Sequence, residues 1–257
     1  MVDTPRAAQH SAERTLRSRA FRAFAADLGS RLRAGSHLIL YGPRGAGKST
    51  LLAMMCEDNR AFDAPCGLAA TTSGLGDVIE ALAQAYPDAD IDGLGRRAAR
   101  ARLRRAADRA SGVLLLDHAT MVTTAMLGYL RRLRGGIAGA LLVVDVDTER
   151  ERDRLRAWRI GALSVRMPLA SDRQLHRLLM ASIRRAALPG IEPELARQIA
   201  HAARGRIGWL RACVDRMQTE DYWRGGRLHL AALCTDTEIG LRESRPGPRS
   251  WRRPGTG

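Results

Sequence analysis

The sequence has few cysteines and no long apolar run. Its four cysteines are Cys56, Cys66, Cys213 and Cys234, with no C-x-x-C spacing and no histidine nearby. This pattern excludes the usual structural zinc sites and predicts a reducing, cytoplasmic compartment. The densest apolar stretches, at 113–116 and 141–144, are far shorter than the about 20 residues of a membrane helix. No apolar segment follows the charged N-terminus, so we expect a soluble protein without a secretory signal and without membrane partners.

The length suits one α/β domain with a small appendage, or at most two compact domains. With 257 residues, of which 45% are hydrophobic, the chain can bury a substantial core. A peptide, a fibre and a disulfide knot are therefore excluded.

Positive charge is concentrated in three segments. Residues 1–34 hold seven arginines against three acids, residues 96–109 seven against one, and residues 241–257 five against one. These segments carry +4, +6 and +4, which leaves +1 of the net +15 for the rest of the chain. Clustered guanidinium groups bind polyanions by displacing condensed counterions, so we predict contact with duplex DNA. The alternative is a solvated arginine face, because 41 of the 42 basic residues are arginine, as a GC-rich coding sequence would produce.

The only lysine, Lys48, lies in the segment GPRGAGKST, which satisfies the pattern G-x-x-x-x-G-K-[ST]. An apolar strand precedes the segment and a helical pattern follows it, which is the context of a P-loop. We predict that it binds ATP. The predicted nucleotide-binding residues are Gly42, Pro43, Arg44, Gly45, Ala46, Gly47, Lys48, Ser49 and Thr50.

Glycines let backbone N–H groups approach phosphates closely, and the start of the following helix adds a partial positive charge. Lys48 is expected to hold the β- and γ-phosphates, and Ser49 to ligate Mg²⁺. Thr50 is more simply explained as a residue of the first helical turn than as a ligand.

A second metal ligand is predicted at the end of another apolar strand. The segment GVLLLD ends at Asp117, which is expected to hold Mg²⁺ as the Walker B aspartate. His118 follows, where many ATPases of this type carry a glutamate that orients the attacking water. We therefore expect slow hydrolysis, with His118 acting as a base, as an orienting group or as a structural residue.

Apolar segments alternate with helical patterns after the P-loop, which predicts a parallel sheet covered by helices. Five strands are expected, at 37–41, 66–71, 112–117, 139–145 and 162–168. After Pro168 only helices are predicted: Asp172–Ala187, Glu194–Ala203, Ile207–Met217 and a further one near Arg227–Cys234.

The predicted organisation is therefore a basic helical segment at 1–34, a P-loop core at 35–170, a helical lid domain at 171–236 and a disordered basic tail at 237–257.

The α/β core followed by a helical domain resembles an AAA+ ATPase. The segments ARGRIGWLRACVDRM (203–217) and GRLHLAALCTD (226–236) resemble the last helices of TniB-like transposition ATPases, relatives of TnsC, MuB and the ExeA-type secretion ATPases. The resemblance covers residues 15–236. It implies a nucleotide-dependent oligomer.

The resemblance also implies further catalytic residues besides Lys48, Asp117 and His118. Asp145 occupies the sensor-1 position, at the end of a strand expected between those that lead to the P-loop and to Asp117, although it is also explained as a residue that caps a loop. Arg159 matches the arginine finger that reaches a neighbouring subunit's nucleotide, although Arg154 and Arg156 compete for that role and all three are also explained as solvated arginines. Gly208 replaces the sensor-2 arginine.

Two functions follow. The first is an ATP-dependent oligomeric switch that binds DNA and regulates a transposase-like protein. The second is a signalling or secretion ATPase that grips a protein partner without DNA. The orientation of the arginines at 96–109 in an assembly distinguishes the two functions.

Overall fold

The computed structural model describes residues 19–57, 64–70, 72, 74–119, 124–133, 137–145 and 163–243. Their helices are α1 (Arg19–Arg33), α2 (Lys48–Glu57), α3 (Leu75–Ala85), α4 (Arg96–Arg109), α5 (Thr124–Arg132), α6 (Asp172–Arg185), α7 (Pro193–Ala202), α8 (Ile207–Arg216) and α9 (Leu230–Glu243). Their strands are β1 (His37–Gly42), β2 (Cys66–Ala69), β3 (Gly112–Leu116), β4 (Ile137–Asp145), β5 (Leu163–Arg166), β6 (Trp223–Arg224) and β7 (Arg227–Leu228). Short 3₁₀ helices lie at Pro87–Ala89 and Glu220–Tyr222.

The chain divides into two compact units. We call the first the sheet unit; it contains residues 26–41 and the described residues of 49–165. We call the second the helical unit; it contains residues 19–25, 42–48 and 166–243. The P-loop segment 42–48 is thus grouped with the C-terminal helices.

The strand order in the larger sheet is β2-β3-β4-β1-β5. β2 pairs in parallel with β3, with Ala69 opposite Leu116, and β3 pairs in parallel with β4, with Leu116 opposite Leu142. Each of the five strands begins and ends within two residues of its predicted position. β4 lies between β3 and β1, which is the place expected for the strand that ends at Asp145. The carboxyl ends of β2, β3 and β4 therefore meet at one edge of the sheet.

The core of the sheet unit contains residues of α3, α4 and β3. All five residues of β3 are buried, as expected for a strand covered on both faces. α3 packs so closely on β2 that a Cβ atom at Gly67 would overlap the backbone of Ala81. α4 buries Ala99, Leu103 and Ala107, a spacing of four residues that places one face against this core.

The helical unit has its own hydrophobic core, which includes Leu175, Leu179, Ile199 and Trp209. Its first helix, α6, begins with a reciprocal cap. Ser171 N–H donates to Gln174 Oε1 at 2.8 Å, and Gln174 N–H donates to Ser171 Oγ at 3.3 Å. Since the sequence S-x-x-Q encodes this cap, the start of α6 was predictable.

The end of the helical unit differs from the prediction. The predicted helix near 227–234 is wrong at its start, because β6 and β7 form a hairpin in which Arg224 lies opposite Arg227. Gly225 and Gly226, with φ of 56° and 75°, supply the two left-handed residues of such a tight turn. α9 then continues to Glu243, so residues 237–243, which were predicted as tail, are helical. The rest of that predicted tail, and residues 1–18 of the N-terminal segment, lie outside the described residues.

Among the helices of the described residues, none combines the length and the apolar character needed to cross a membrane.

Candidate nucleotide-binding site

The backbone of the P-loop turns sharply between β1 and α2. β1 ends at Gly42 and α2 begins at Lys48. Gly45 and Gly47 have φ of +77° and +93°, a region that residues with a Cβ atom avoid. The N–H of Ala46 donates to the carbonyl of Pro43 at 3.2 Å. The loop therefore has the conformation that only its glycines permit, as the motif predicted.

Lys48 is held by the loop itself. The residue is 5% exposed, and its Nζ donates to the carbonyl oxygens of Gly42 at 2.7 Å and Pro43 at 2.9 Å. These two bonds stabilise a buried ammonium group, which would otherwise be strongly unfavourable. The two carbonyls therefore fix the position of this cation within the loop.

Asp117 follows directly after β3 and is 5% exposed. Its N–H donates to the carbonyl of Ala69 at 2.9 Å, which continues the β2–β3 pairing by one residue. Its Oδ1 accepts the backbone N–H of His118 at 2.8 Å. The carboxylate is therefore fixed at the carboxyl edge of the sheet, where ligands bind in open α/β folds.

His118 links this carboxylate to the start of α2. Its Nε2 lies 3.5 Å from Ser49 Oγ and 3.7 Å from Asp117 Oδ2. The structure thus brings together three of the predicted residues, Ser49, Asp117 and His118. His118 has φ of +50°, a left-handed conformation that costs about 1–3 kcal/mol in a residue other than glycine and is concentrated at functional sites.

The donor set fits Mg²⁺. A serine hydroxyl and an aspartate carboxylate offer the hard oxygen ligands that this ion prefers, and Mg²⁺ usually retains several waters. Ser49 is exposed, so its hydroxyl is accessible. The imidazole between the two oxygen donors is the feature that departs from an all-oxygen site.

Some of the remaining predicted site residues lie in the described part of the chain and others do not. Asp145 is the last residue of β4, at the same edge of the sheet as the end of β3. Thr50 lies in the first turn of α2, as expected. The Arg44 side chain donates to the carbonyl of Leu241 in α9 at 3.4 Å, a contact that the sequence did not predict. Arg159 lies outside the described residues, as do its competitors at 154 and 156.

Sequence reasoning missed a contact between the P-loop and the first turn of α8. The N–H of Gly208 donates to the carbonyl of Gly45 at 2.7 Å. A Cβ atom at Gly208 would lie 2.8 Å from Gly45 Cα, and one at Gly45 would lie 2.9 Å from Trp209 N. The available signal was the glycine at the position expected for an arginine, although the sequence alone gave that glycine no role.

Arg206 fixes the start of this helix. It caps α8 and forms an ion pair with Glu238 of α9, with its Nη2 2.9 Å from Glu238 Oε2. Its guanidinium carbon lies 5.8 Å from the centre of the Trp209 ring, within the range of a cation–π contact. Arg206 is 12% exposed on its side chain, so this pair is less screened by water than a surface pair. α8 and α9 are therefore joined beside the residue that contacts the P-loop.

Comparison with known proteins agrees with this fold. A family model described as an AAA domain matches residues 31–157. The Walker-type ATPase PABY2304 of Pyrococcus abyssi is similar at a TM-score of 0.50 and 14% identity, over 79% of this chain and 67% of that one. The Aeropyrum pernix ORC1 protein, solved in complex with DNA, is similar at a TM-score of 0.51 and 17% identity, over 85% of this chain and 65% of that one. The chain thus spans about two thirds of the length of each protein.

No curated protein matches the sequence of this chain. The finer resemblance to TniB-like proteins, which the C-terminal segments suggested, therefore stays a prediction. The family match, the two similar structures and the strand–loop–helix geometry around Lys48 together give this chain the α/β fold of an AAA-type P-loop ATPase.

Proposed function

We propose that this protein is an ATPase of slow turnover that works as a nucleotide-dependent oligomeric switch on DNA. The observation that carries the proposal is the convergence of Ser49, Asp117 and His118, because it joins the start of the P-loop helix to the Walker B strand. ATP would be the ligand and Mg²⁺ the metal. The AAA-domain match over residues 31–157 supports the same chemistry.

In this proposal the loop N–H groups and Lys48 bind the phosphates. Lys48 is already desolvated and oriented, so little side-chain entropy is lost when a phosphate replaces or shares its carbonyl partners. Ser49 and Asp117 would hold Mg²⁺, which when bound neutralises charge on the phosphate oxygens.

His118 explains why turnover would be slow. Its Nε2 can accept a proton from water only in one neutral tautomer, and in this structure that atom lies 3.5 Å from Ser49 Oγ and 3.7 Å from Asp117 Oδ2, both of which compete with water for it. A carboxylate at this position would instead accept hydrogen bonds at two oxygens in either rotamer. An ATPase with this substitution would keep the triphosphate state long enough to act as a switch.

The DNA part of the proposal rests on α4. Six of its seven arginines form two rows, each spaced i, i+3, i+7: Arg97, Arg100 and Arg104 in one, and Arg102, Arg105 and Arg109 in the other; Arg96 is the seventh. None of the seven pairs with an acidic group of the described residues, and six of them are exposed. Rows of unpaired cations can bind the phosphate backbone of DNA. Such contacts do not distinguish one base sequence from another.

The similar structures and the sequence support the remaining parts. The ORC1 protein with this fold was solved in complex with DNA, so the fold is compatible with that partner. The transposase-like protein partner and a neighbour's arginine finger at Arg159 follow from the resemblance to TniB-like ATPases.

Calorimetry with an ATP analogue and Mg²⁺ tests the nucleotide site. Wild type is expected to bind, and Lys48→Ala to bind about 10- to 100-fold more weakly, since a hydrogen bond to a charged group contributes about 1.5–3 kcal/mol. Arg173→Ala, which removes an exposed cation on α6, is the control and should leave the affinity unchanged. Absence of binding by wild type would refute the proposal. Binding of nucleotide without any binding of DNA would favour the protein-gripping ATPase.

A further inference from the structure

We propose that the peptide bond between Gly45 and Ala46 couples phosphate binding in the P-loop to the first turn of α8. Gly208 would thus be a positioning residue that works through backbone atoms, in place of the arginine expected there. The inference rests on the proposed nucleotide site and deepens it by naming how the C-terminal helices detect the ligand.

The first observation is the closeness of two backbones. The Gly208 N–H donates to the Gly45 carbonyl at 2.7 Å, and a Cβ at Gly208 would be 2.8 Å from Gly45 Cα. Real Cβ atoms do not approach other heavy atoms so closely without a shift. Since Gly45 also has φ of +77°, a side chain at either position would separate the loop from the helix.

The second observation is that one peptide unit has both of its polar groups engaged. Its carbonyl, on Gly45, accepts from α8, while its N–H, on Ala46, donates to the Pro43 carbonyl at 3.2 Å. P-loop N–H groups are the groups that bind phosphates. When a phosphate accepts the Ala46 N–H, the peptide is polarised and its carbonyl becomes a stronger acceptor for Gly208. Rotation of the same peptide would break the bond to α8.

The third observation is the connection of α8 to the end of the described chain. Arg206, two residues before Gly208, is ion-paired with Glu238 of α9, and Arg44 in the loop donates to the Leu241 carbonyl of the same helix. The buried Trp209 follows Gly208 and packs in the core of the helical unit. A change at the Gly45 carbonyl therefore reaches α9 through groups in direct contact.

Hydrogen exchange of the wild-type protein, followed by mass spectrometry, is the first test. With a saturating ATP analogue and Mg²⁺, amides of residues 207–210 are expected to exchange at least about threefold more slowly than without nucleotide, because the Gly208 bond opens less often. Peptides covering α7 serve as the internal reference and should not change. Unchanged exchange at 207–210, while residues 45–50 become protected, would overturn the coupling but leave the nucleotide site intact.

The second test uses Gly208→Ala, with Gly190→Ala as the matched control because a Cβ at Gly190 meets nothing within 4 Å. Gly208→Ala should weaken binding of the ATP analogue about tenfold and remove the nucleotide-dependent change at α8. A purely structural role would lower the melting temperature yet leave both readouts as in wild type, which would refute the proposal. If Gly208→Ala does not fold, the wild-type exchange experiment decides. No calorimetric binding by wild type would overturn the proposed function and this inference together.

Discussion

His118 combines a strained backbone with a position between two oxygen donors. Its φ of +50° lies in the left-handed region, which few residues other than glycine adopt, although histidine does so more often than most. Such a conformation persists only where the surroundings hold it, and here the Asp117 carboxylate accepts the His118 N–H. The Asp117 carboxylate therefore helps to fix the His118 backbone, from which the imidazole projects.

We expect His118→Glu to raise the rate of ATP hydrolysis at least about tenfold, because a carboxylate can orient and deprotonate water and general bases contribute about 10²- to 10⁴-fold. Steady-state phosphate release measures this change. His118→Asn is the control, since asparagine tolerates a left-handed backbone and has no basic site; its turnover should be at or below that of wild type. A slower His118→Glu protein that still binds the ATP analogue would show that the histidine is the better base.

Tyr129 in α5 is buried without a partner for its hydroxyl among the described residues. Burial raises its pKa to about 12, although Arg100 and Arg132 act in the opposite direction. Because the folded pKa is the higher one, the protonated form contributes stability that is fully present below pH ~10, the unfolded value, and is lost as the pH rises towards 12.

Tyr129→Phe removes the unpaired hydroxyl and is expected to raise the free energy of unfolding by about 1 kcal/mol near neutral pH. The variant should also lose less stability than wild type between pH 10 and 11, as measured by urea denaturation. Tyr222→Phe is the comparison, because the Tyr222 hydroxyl donates to Asp236 Oδ2 at 3.0 Å. If Tyr129→Phe were destabilised as much as Tyr222→Phe, its hydroxyl would have a partner that the fold does not reveal.

The site residues that the sequence predicted are those fixed by local geometry. Lys48, Ser49 and Asp117 lie in short segments whose glycine spacing or strand pattern determines the backbone around them. The Gly45–Gly208 contact joins residues that are 163 positions apart in number, and nothing in a local pattern specifies which carbonyl meets which N–H. Such a pairing depends on how the helices of the unit pack together. A local sequence pattern does not show which residues meet in that packing.

At the scale of elements, α4 has one face that packs in the core and a second face that we propose contacts DNA. Its small apolar residues face the core while its arginines cover the opposite side. Only Asp108 offers a negative charge within the helix, and α4 lies directly before β3, the strand that leads to Asp117. A polyanion bound to α4 would therefore lie close, along the chain, to the Asp117 carboxylate, which we propose as a ligand of Mg²⁺.

The triple variant Arg102→Gln, Arg105→Gln, Arg109→Gln is expected to weaken binding to random-sequence duplex DNA and to reduce the slope of log K against log salt by about 3, one unit for each phosphate that the helix no longer neutralises. Fluorescence anisotropy at several salt concentrations measures both. Glutamine preserves helix propensity, so the fold should persist.

The control for this variant is Arg173→Gln, Arg177→Gln, Arg184→Gln on α6, which removes the same charge from exposed positions in the helical unit. An equal loss of DNA affinity in both variants would mean that net charge alone, and not the rows of α4, attracts DNA.

Helices and strands with a clear hydrophobic pattern were predicted well. The short strands whose position depends on a turn were not. β3 and α8 follow from an apolar run and a helical repeat, respectively. The β6–β7 hairpin was missed because two residues on each side of a Gly-Gly turn are too few to show alternation. The pair Gly225–Gly226 was the available signal, and it also explains why α9 begins three residues later than the predicted helix.

At the scale of the whole molecule, nucleotide is expected to control assembly. With an ATP analogue, Mg²⁺ and duplex DNA, wild type should form large particles visible by electron microscopy and light scattering. Lys48→Ala should remain dispersed, because it loses the ligand that completes the interface. Assembly of Lys48→Ala to the wild-type extent would contradict the switch.

The sequence predicted a sheet covered by helices followed by helices alone, but the β6–β7 hairpin interrupts the C-terminal helices. The sequence could not predict that the P-loop segment 42–48 groups with the C-terminal helices. That grouping arises from the close approach of Gly42 to Met167 and of Gly45 to Gly208, which are pairings between distant parts of the chain.

The burial of the single lysine has a practical consequence. Amine-reactive reagents have one side-chain target in this protein, and its nitrogen is engaged by the Gly42 and Pro43 carbonyls. The acylation rate of that one amine, measured by mass spectrometry, would therefore report how often the loop opens. For the same reason, lysine-directed cross-linkers would not join neighbouring subunits. Arginine- or carboxylate-directed reagents are the appropriate choice for mapping contacts between subunits.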